Sequence, residues 1–178
     1  MIVLVTGGAA SGKSELAEHI VCRLADGAPM LYVAAMETEG EEAQRRIARH
    51  RALRAGKGFT TLEHSKQFAS ISVPNGYRAA LFECMSNAVA NEIFSPEGAG
   101  DGCEQSILTG IGRLAMSCEH VVIVTNDVFT DGKTYDADTM DYLRRLGQLN
   151  CELAQRADTV VESVCGIPVL LKGELCDG

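Results

Sequence analysis

The residues best equipped for chemistry are Gly7, Gly8, Ala9, Ala10, Ser11, Gly12, Lys13 and Ser14, which spell G-x-x-x-x-G-K-S. This is the pattern of a phosphate-binding P-loop. Its glycines let the backbone close around phosphate oxygens, and its amide N–H groups form an anion nest at a helix N-terminus. Lys13 is expected to reach the β- and γ-phosphates of a nucleoside triphosphate, and the Ser14 hydroxyl to bind Mg²⁺. The context agrees. Met1 to Thr6 is apolar and β-branched, as a buried parallel strand should be. Glu15 to Leu24 carries apolar residues at helical spacing.

A second group lies between positions 45 and 57, which hold six of the chain's 16 Lys and Arg residues. On a helix, Arg46, His50 and Arg54 fall at i, i+4 and i+8 and share a face. Clustered guanidinium groups suit phosphate recognition. A histidine among them stays neutral near pH 7 and is able to attack phosphorus. The alternative is a solvated charged helix, since Glu41 with Arg45 and Glu42 with Arg46 form i, i+4 pairs that need no ligand. Glu83 ends an apolar run, Ala79 to Phe82, and is placed like a carboxylate that holds Mg²⁺ directly or through water. Its alternative role is to cap the helix that starts near Ser86 and Asn87. Asp127, at the end of another apolar run, is a weaker candidate of the same kind.

These groups need a scaffold. Met1 to Thr6, Met30 to Met36, Ala79 to Glu83, His120 to Asp127, Thr159 to Val164 and Ile167 to Lys172 read as strands. The last two, separated by Cys165-Gly166, are able to form an antiparallel hairpin. Helices are expected after the P-loop, over about 40–53, in a short piece from Leu62 to Ile71, and over 87–94, 104–117 and 138–157. Residues 95–102 and 128–136 read as loops. Alternation of strands and helices predicts one α/β domain over residues 1–178: a mostly parallel P-loop sheet with helices on both faces. Ligands in such sheets bind beyond the C-terminal strand ends, where Thr6, Ala34 to Met36, Glu83 and Thr125 to Asp127 lie.

Composition narrows the choices. The net charge of −8 argues against general nucleic-acid binding, and aromatic residues, at 5% with no Trp, offer no stacking surface. Seven scattered cysteines, odd in number and without a C-x-x-C pair, read as reduced thiols. No apolar run has transmembrane length, and the apolar N-terminus leads straight into the P-loop rather than forming a signal peptide. A cytoplasmic protein is expected. No C-x-x-C or H-E-x-x-H zinc site is present, and Thr125-Asn126-Asp127 is not the N-K-x-D guanine motif.

Val3 to Ser14, Leu31-Tyr32-Val33-Ala34, Arg46-Ile47-Ala48-Arg49-His50-Arg51, Leu81-Phe82-Glu83-Cys84, Val122 to Asp127, Gly147 to Asn150 and Val164 to Pro168 together resemble the adenosylcobinamide kinase / adenosylcobinamide-phosphate guanylyltransferase family. The resemblance spans almost the whole chain. It implies a RecA-like P-loop fold, a homo-oligomer that is a trimer in the family, and a corrinoid substrate. It also implies two reactions: phosphorylation of adenosylcobinamide by GTP or ATP, then transfer of GMP from GTP through a guanylylated histidine, giving adenosylcobinamide-GDP. His50 falls at that histidine. The family's nucleotide contacts fall on Gly7 to Ser14, on Ala34, Ala35 and Met36, on Arg51, Ala52, Leu53 and Arg54, and on Glu63 and Glu83. The chain differs from the family's usual pattern at Arg49, at Ala35 and over 127–135. Another P-loop small-molecule kinase without a covalent nucleotidyl step, or a non-catalytic nucleotide-binding protein, are the competing readings.

Overall fold

The computed structural model describes residues 1–36, 56–129 and 132–174. The expected helix over 40–53, with His50, Arg51, Ala52, Leu53 and Arg54, lies outside the described residues.

Seven strands form one sheet: β1 (Ile2–Thr6), β2 (Met30–Ala34), β3 (Phe59–Glu63), β4 (Ala79–Glu83), β5 (His120–Val124), β6 (Thr159–Val164) and β7 (Ile167–Lys172). Their spatial order is β3-β2-β4-β5-β1-β6-β7. β1 to β6 run parallel, and β7 pairs antiparallel with β6, so the expected C-terminal hairpin is present. The described α-helices are α1 (Lys13–Ala25), α2 (Met85–Phe94), α3 (Cys103–Ser117) and α4 (Ala137–Arg156).

The central strands are buried on both faces because alternate side chains point to opposite layers. Val3 and Val5 of β1 pack with Leu81, Val122 and Val124 against Ala17, Ile20 and Val21 of α1. Leu4 points the other way. With Leu31, Val33, Phe82 and Ile123 it meets Met85, Val89, Ile107, Leu114, Leu146, Leu149 and Leu153 from α2, α3 and α4. The 3.6-residue stripe on α4 thus supplies three fully buried leucines, while its opposite face carries exposed Arg144 and Gln148.

One element differs in type from expectation, and β2 and β5 are shorter than expected, β2 ending at Ala34. The segment read as a short helix from Leu62 to Ile71 begins as the end of edge strand β3, and only Phe68–Ser70 turns, as a 3₁₀ helix. β3 lacks a long apolar run because an edge strand is half solvated: Thr60, Thr61 and Glu63 are exposed. Its pairing with β2, Met30 opposite Phe59 through Ala34 opposite Glu63, is a long-range backbone contact that local periodicity cannot report. β5 also stops earlier than expected, at Val124. The next residues leave the sheet but stay tied to it, with Thr125 N–H donating to the Val5 carbonyl and Asp127 N–H to the Gly7 carbonyl.

Gly110, unusual in a helix interior, has a packing reason. A Cβ there would lie 2.7 Å from the Phe68 carbonyl oxygen, so α3 passes directly against the 3₁₀ turn.

Candidate functional site

The parallel strands deliver their C-terminal ends to one edge of the sheet, and the P-loop leaves β1 there. Gly7 has φ 155 and Gly12 φ 87, and both approach other backbone closely. A Cβ on Gly7 would come within 2.5 Å of Ser11 Oγ and 2.8 Å of the Ser163 carbonyl oxygen. Ser11 N–H donates to the Gly8 carbonyl at 3.3 Å, which folds the loop on itself. Gly12 is the N-cap of α1 and makes no side-chain cap hydrogen bond. The first N–H groups of α1 are therefore the kind of donors a helix end offers to an anion.

Lys13 lies over this loop, its Nζ donating to the Gly8 carbonyl at 3.0 Å. Burial lowers its ammonium pKa from the ordinary lysine value, opposed by Cys84 and Glu83. Ser14 Oγ donates to Glu83 Oε1 at 2.5 Å. The Tyr32 hydroxyl donates to the other carboxylate oxygen, Oε2, at 3.0 Å. Glu83 is only 8% exposed and held from both sides. It does not cap α2: the N-cap is Cys84, which makes no side-chain cap bond. Geometry thus brings Lys13, Ser14 and Glu83 together.

The fit to Mg²⁺ follows from the donor set. Ser14 and Glu83 present hard oxygen ligands beside an anion nest, and Mg²⁺ commonly takes one or two protein oxygens together with substrate phosphate and water. Among the described residues no group of three or more His, Cys, Asp or Glu side chains is arranged to hold a metal.

Ala34, Glu63 and Glu83 form one row across three neighbouring strands, Ala34 pairing with Glu63 on one side and Glu83 on the other. Ala35 N–H donates to the Glu83 carbonyl, and His64 N–H to the Ala34 carbonyl. Met36 follows directly and is half-buried. The Asp127 carboxylate braces its own loop, Oδ1 accepting from Phe129 N–H at 3.3 Å.

Three supports escape a reading by motif. Tyr32, on an apolar strand, orients Glu83 through its hydroxyl. Asn91 donates through Nδ2 to the Ala35 and Ser65 carbonyls at 2.8 and 3.0 Å, joining α2 to the ends of β2 and β3. Ser163 and Gly166 of the β6–β7 hairpin both donate to the Ser11 carbonyl. A polar side chain within an apolar element is the only trace that Tyr32, Asn91 and Ser163 leave in the sequence, and it does not say which distant backbone they meet. Beside the loop after β5, Val128, Phe129, Met140, Leu143 and Gly147 line an open cleft of about 790 Å³ along α4.

Comparisons with known proteins bear on the fold and on the family. The RadB recombinase structure has the same fold, with TM-score 0.51 at 16% identity over 99% of this chain and 82% of that one. The bifunctional adenosylcobalamin biosynthesis protein CobU of Escherichia coli K12 is 32% identical, covering 97% of this chain and 100% of its own length. The bifunctional adenosylcobalamin biosynthesis protein CobP of Pseudomonas aeruginosa is 30% identical, covering 96% and 97%. The family model described as cobinamide kinase / cobinamide phosphate guanyltransferase matches residues 3–171, and the chain belongs to that family.

Proposed function

We propose that this chain is a bifunctional enzyme of cobalamin biosynthesis that phosphorylates adenosylcobinamide and then transfers GMP to the product. The observation that carries the reading is the convergence of Lys13, Ser14 and Glu83 at the P-loop, in a member of this family. In the first reaction the aminopropanol hydroxyl oxygen forms a bond to the γ-phosphorus of GTP or ATP. The β–γ bridging bond breaks, the nucleoside diphosphate leaves and the hydroxyl gives up its proton. Lys13 offsets charge on the transferring phosphate, and the loop N–H groups hold the remaining phosphates in line. Ser14 and Glu83 would hold Mg²⁺, which supplies charge neutralisation at the phosphates.

In the second reaction a neutral imidazole nitrogen of His50 attacks the α-phosphorus of GTP. Pyrophosphate leaves and GMP stays on the histidine as a phosphoramidate. The phosphate of cobinamide phosphate then attacks that phosphorus, the P–N bond breaks and adenosylcobinamide-GDP forms. Gly7 to Ser14, Ala34 to Met36, Arg51 to Arg54, Glu63 and Glu83 contact nucleotide in this reading. Family resemblance supports a homotrimer, and the reading places the enzyme in the cytoplasm. Among the described residues, no helix is long and apolar enough to cross a membrane.

The test is incubation with α-labelled GTP and Mg²⁺, followed by denaturation. Wild-type protein is expected to retain label that survives alkali and is released by acid, as a phosphoramidate does. His50→Ala is expected to lose the label while GTP still binds. Acid-labile label on His50→Ala would move the nucleophile elsewhere. Wild-type protein that phosphorylates adenosylcobinamide without ever acquiring label would be a kinase alone.

A further inference from the structure

The β6–β7 hairpin reaches back to the phosphate loop. The Ser11 carbonyl accepts hydrogen bonds from Ser163 Oγ at 2.7 Å and from Gly166 N–H at 2.8 Å. Ser163 is 2% exposed on β6, and Gly166, with φ 80, forms the hairpin turn. Hairpin and loop also approach at backbone level: a Cβ on Gly12 would stand 3.1 Å from Gly166 Cα. Two donors on a single carbonyl, both more than 150 positions away in the chain, clamp one peptide unit.

The peptide bond explains what the clamp does. A trans peptide is planar, so its C=O and the following N–H point in opposite directions. Drawing the Ser11 carbonyl toward the hairpin turns the Gly12 N–H away from it. Gly12 is the N-cap of α1, so that N–H is one of the helix-start donors without an intrahelical partner. A glycine-rich loop without this anchor has low-cost alternatives in which the peptide flips and presents its carbonyl to the anion instead.

We infer that Ser163 is a positioning residue of the phosphate site, holding the Ser11–Gly12 peptide so that its N–H meets bound phosphate. This rests on the P-loop reading above. It also gives the last hairpin a role in binding the phosphate portion of the nucleotide, from the opposite end of the chain.

The test measures the affinity of the full-length protein for GTP with Mg²⁺ by calorimetry, and its kcat and KM with adenosylcobinamide. Ser163→Ala is expected to bind GTP about five- to tenfold more weakly, the scale of one hydrogen bond, with the loss in KM for GTP. Ser163→Thr keeps a hydroxyl on a strand residue and is expected to restore affinity to within about twofold of wild type. Unfolding temperatures without nucleotide, measured in parallel, are expected to fall by only about 2–4 °C, the scale of one buried hydrogen bond, whereas a general packing role would lower stability and leave GTP affinity alone. Should Ser163→Ala fail to fold, Ser163→Cys, with its weaker donor, is expected to show the loss of GTP affinity. A Ser163→Ala protein that folds and binds GTP as wild type does, a Ser163→Cys protein that does so in its place, or a Ser163→Thr protein as weak as Ser163→Ala, overturns the inference. Wild-type protein that binds no GTP would instead overturn the P-loop reading itself.

Discussion

Glu83→Gln separates a metal-organising carboxylate from a structural one. The substitution keeps the side chain's shape and removes its charge. In the structure one carboxylate oxygen accepts from Ser14 Oγ at 2.5 Å and the other from the Tyr32 hydroxyl at 3.0 Å. Glutamine keeps one acceptor oxygen and turns the other position into an NH₂ donor. Both neighbours are hydroxyls, which reorient to accept as readily as they donate, so neither need be left unpaired. The exchange of charged for neutral hydrogen bonds is expected to cost about 1–2 kcal/mol of stability, partly offset because a buried charge disappears. The effect on Mg²⁺ is expected to be larger. Losing a residue that ligates or orients the ligands of a metal typically costs about 10–100-fold in affinity, roughly 1.4–2.7 kcal/mol. The assay is the rate of phosphoryl transfer against MgCl₂ at fixed nucleotide, with thermal melting alongside. The half-maximal Mg²⁺ concentration should rise at least about tenfold in Glu83→Gln. Tyr32→Phe, which removes the Tyr32 donor and leaves Ser14 in place, should shift it by only about a fewfold. A folded Glu83→Gln protein with an unchanged Mg²⁺ curve would refute the reasoning.

Lys13→Ala removes the cation lying over the loop and is expected to slow both phosphorylation and guanylylation by at least about thirtyfold, roughly 2 kcal/mol; unchanged rates would exclude the P-loop role. Glu92, fully buried, accepts from Ser106 Oγ at 2.6 Å, Phe68 N–H at 2.9 Å and Ala99 N–H at 2.8 Å. Burial pushes its pKa up, but the hydrogen bonds from Ser106, Phe68, Ala99 and Gln67 outweigh it, so the folded-state pKa lies below the ordinary 4.5. A depressed carboxylate pKa stabilises the fold above the unfolded-state pKa, and that contribution fades as pH falls through the folded-state pKa. Glu92→Gln is therefore expected to lose about 1–3 kcal/mol at neutral pH, with the gap to wild type narrowing below about pH 4.5 in denaturant titrations. A gap that is constant across pH would show that the charge of Glu92 is not what binds the 3₁₀ turn to α2 and α3.

Much of the site was legible because its parts are local. G-x-x-x-x-G-K-S between an apolar run and an amphipathic segment specifies a strand–loop–helix unit, since the loop needs residues that tolerate its backbone and the helix needs an apolar face. Runs such as Leu81-Phe82 and Val121 to Val124 specify buried parallel strands, and with them the edge where ligands bind. Read as a string, the chain leaves Glu83 divided between holding a metal and capping a helix. The fold rules out the cap, because α2 starts just after its N-cap Cys84 while the Glu83 carboxylate faces Ser14 and Tyr32 across the sheet edge. β3 escapes notice for a related reason. Its stability comes from backbone pairing with β2, and a half-solvated edge strand needs little apolar signature of its own. The hydrogen bonds of Ser163 and Gly166 to Ser11 join residues more than 150 positions apart, and no periodicity or spacing encodes them. Residue order therefore sets the elements whose members are neighbours along the chain, the P-loop unit and the buried strands among them. Which polar groups from distant elements meet at one site is set by sheet order and register, and these depend on how the whole chain packs rather than on local composition.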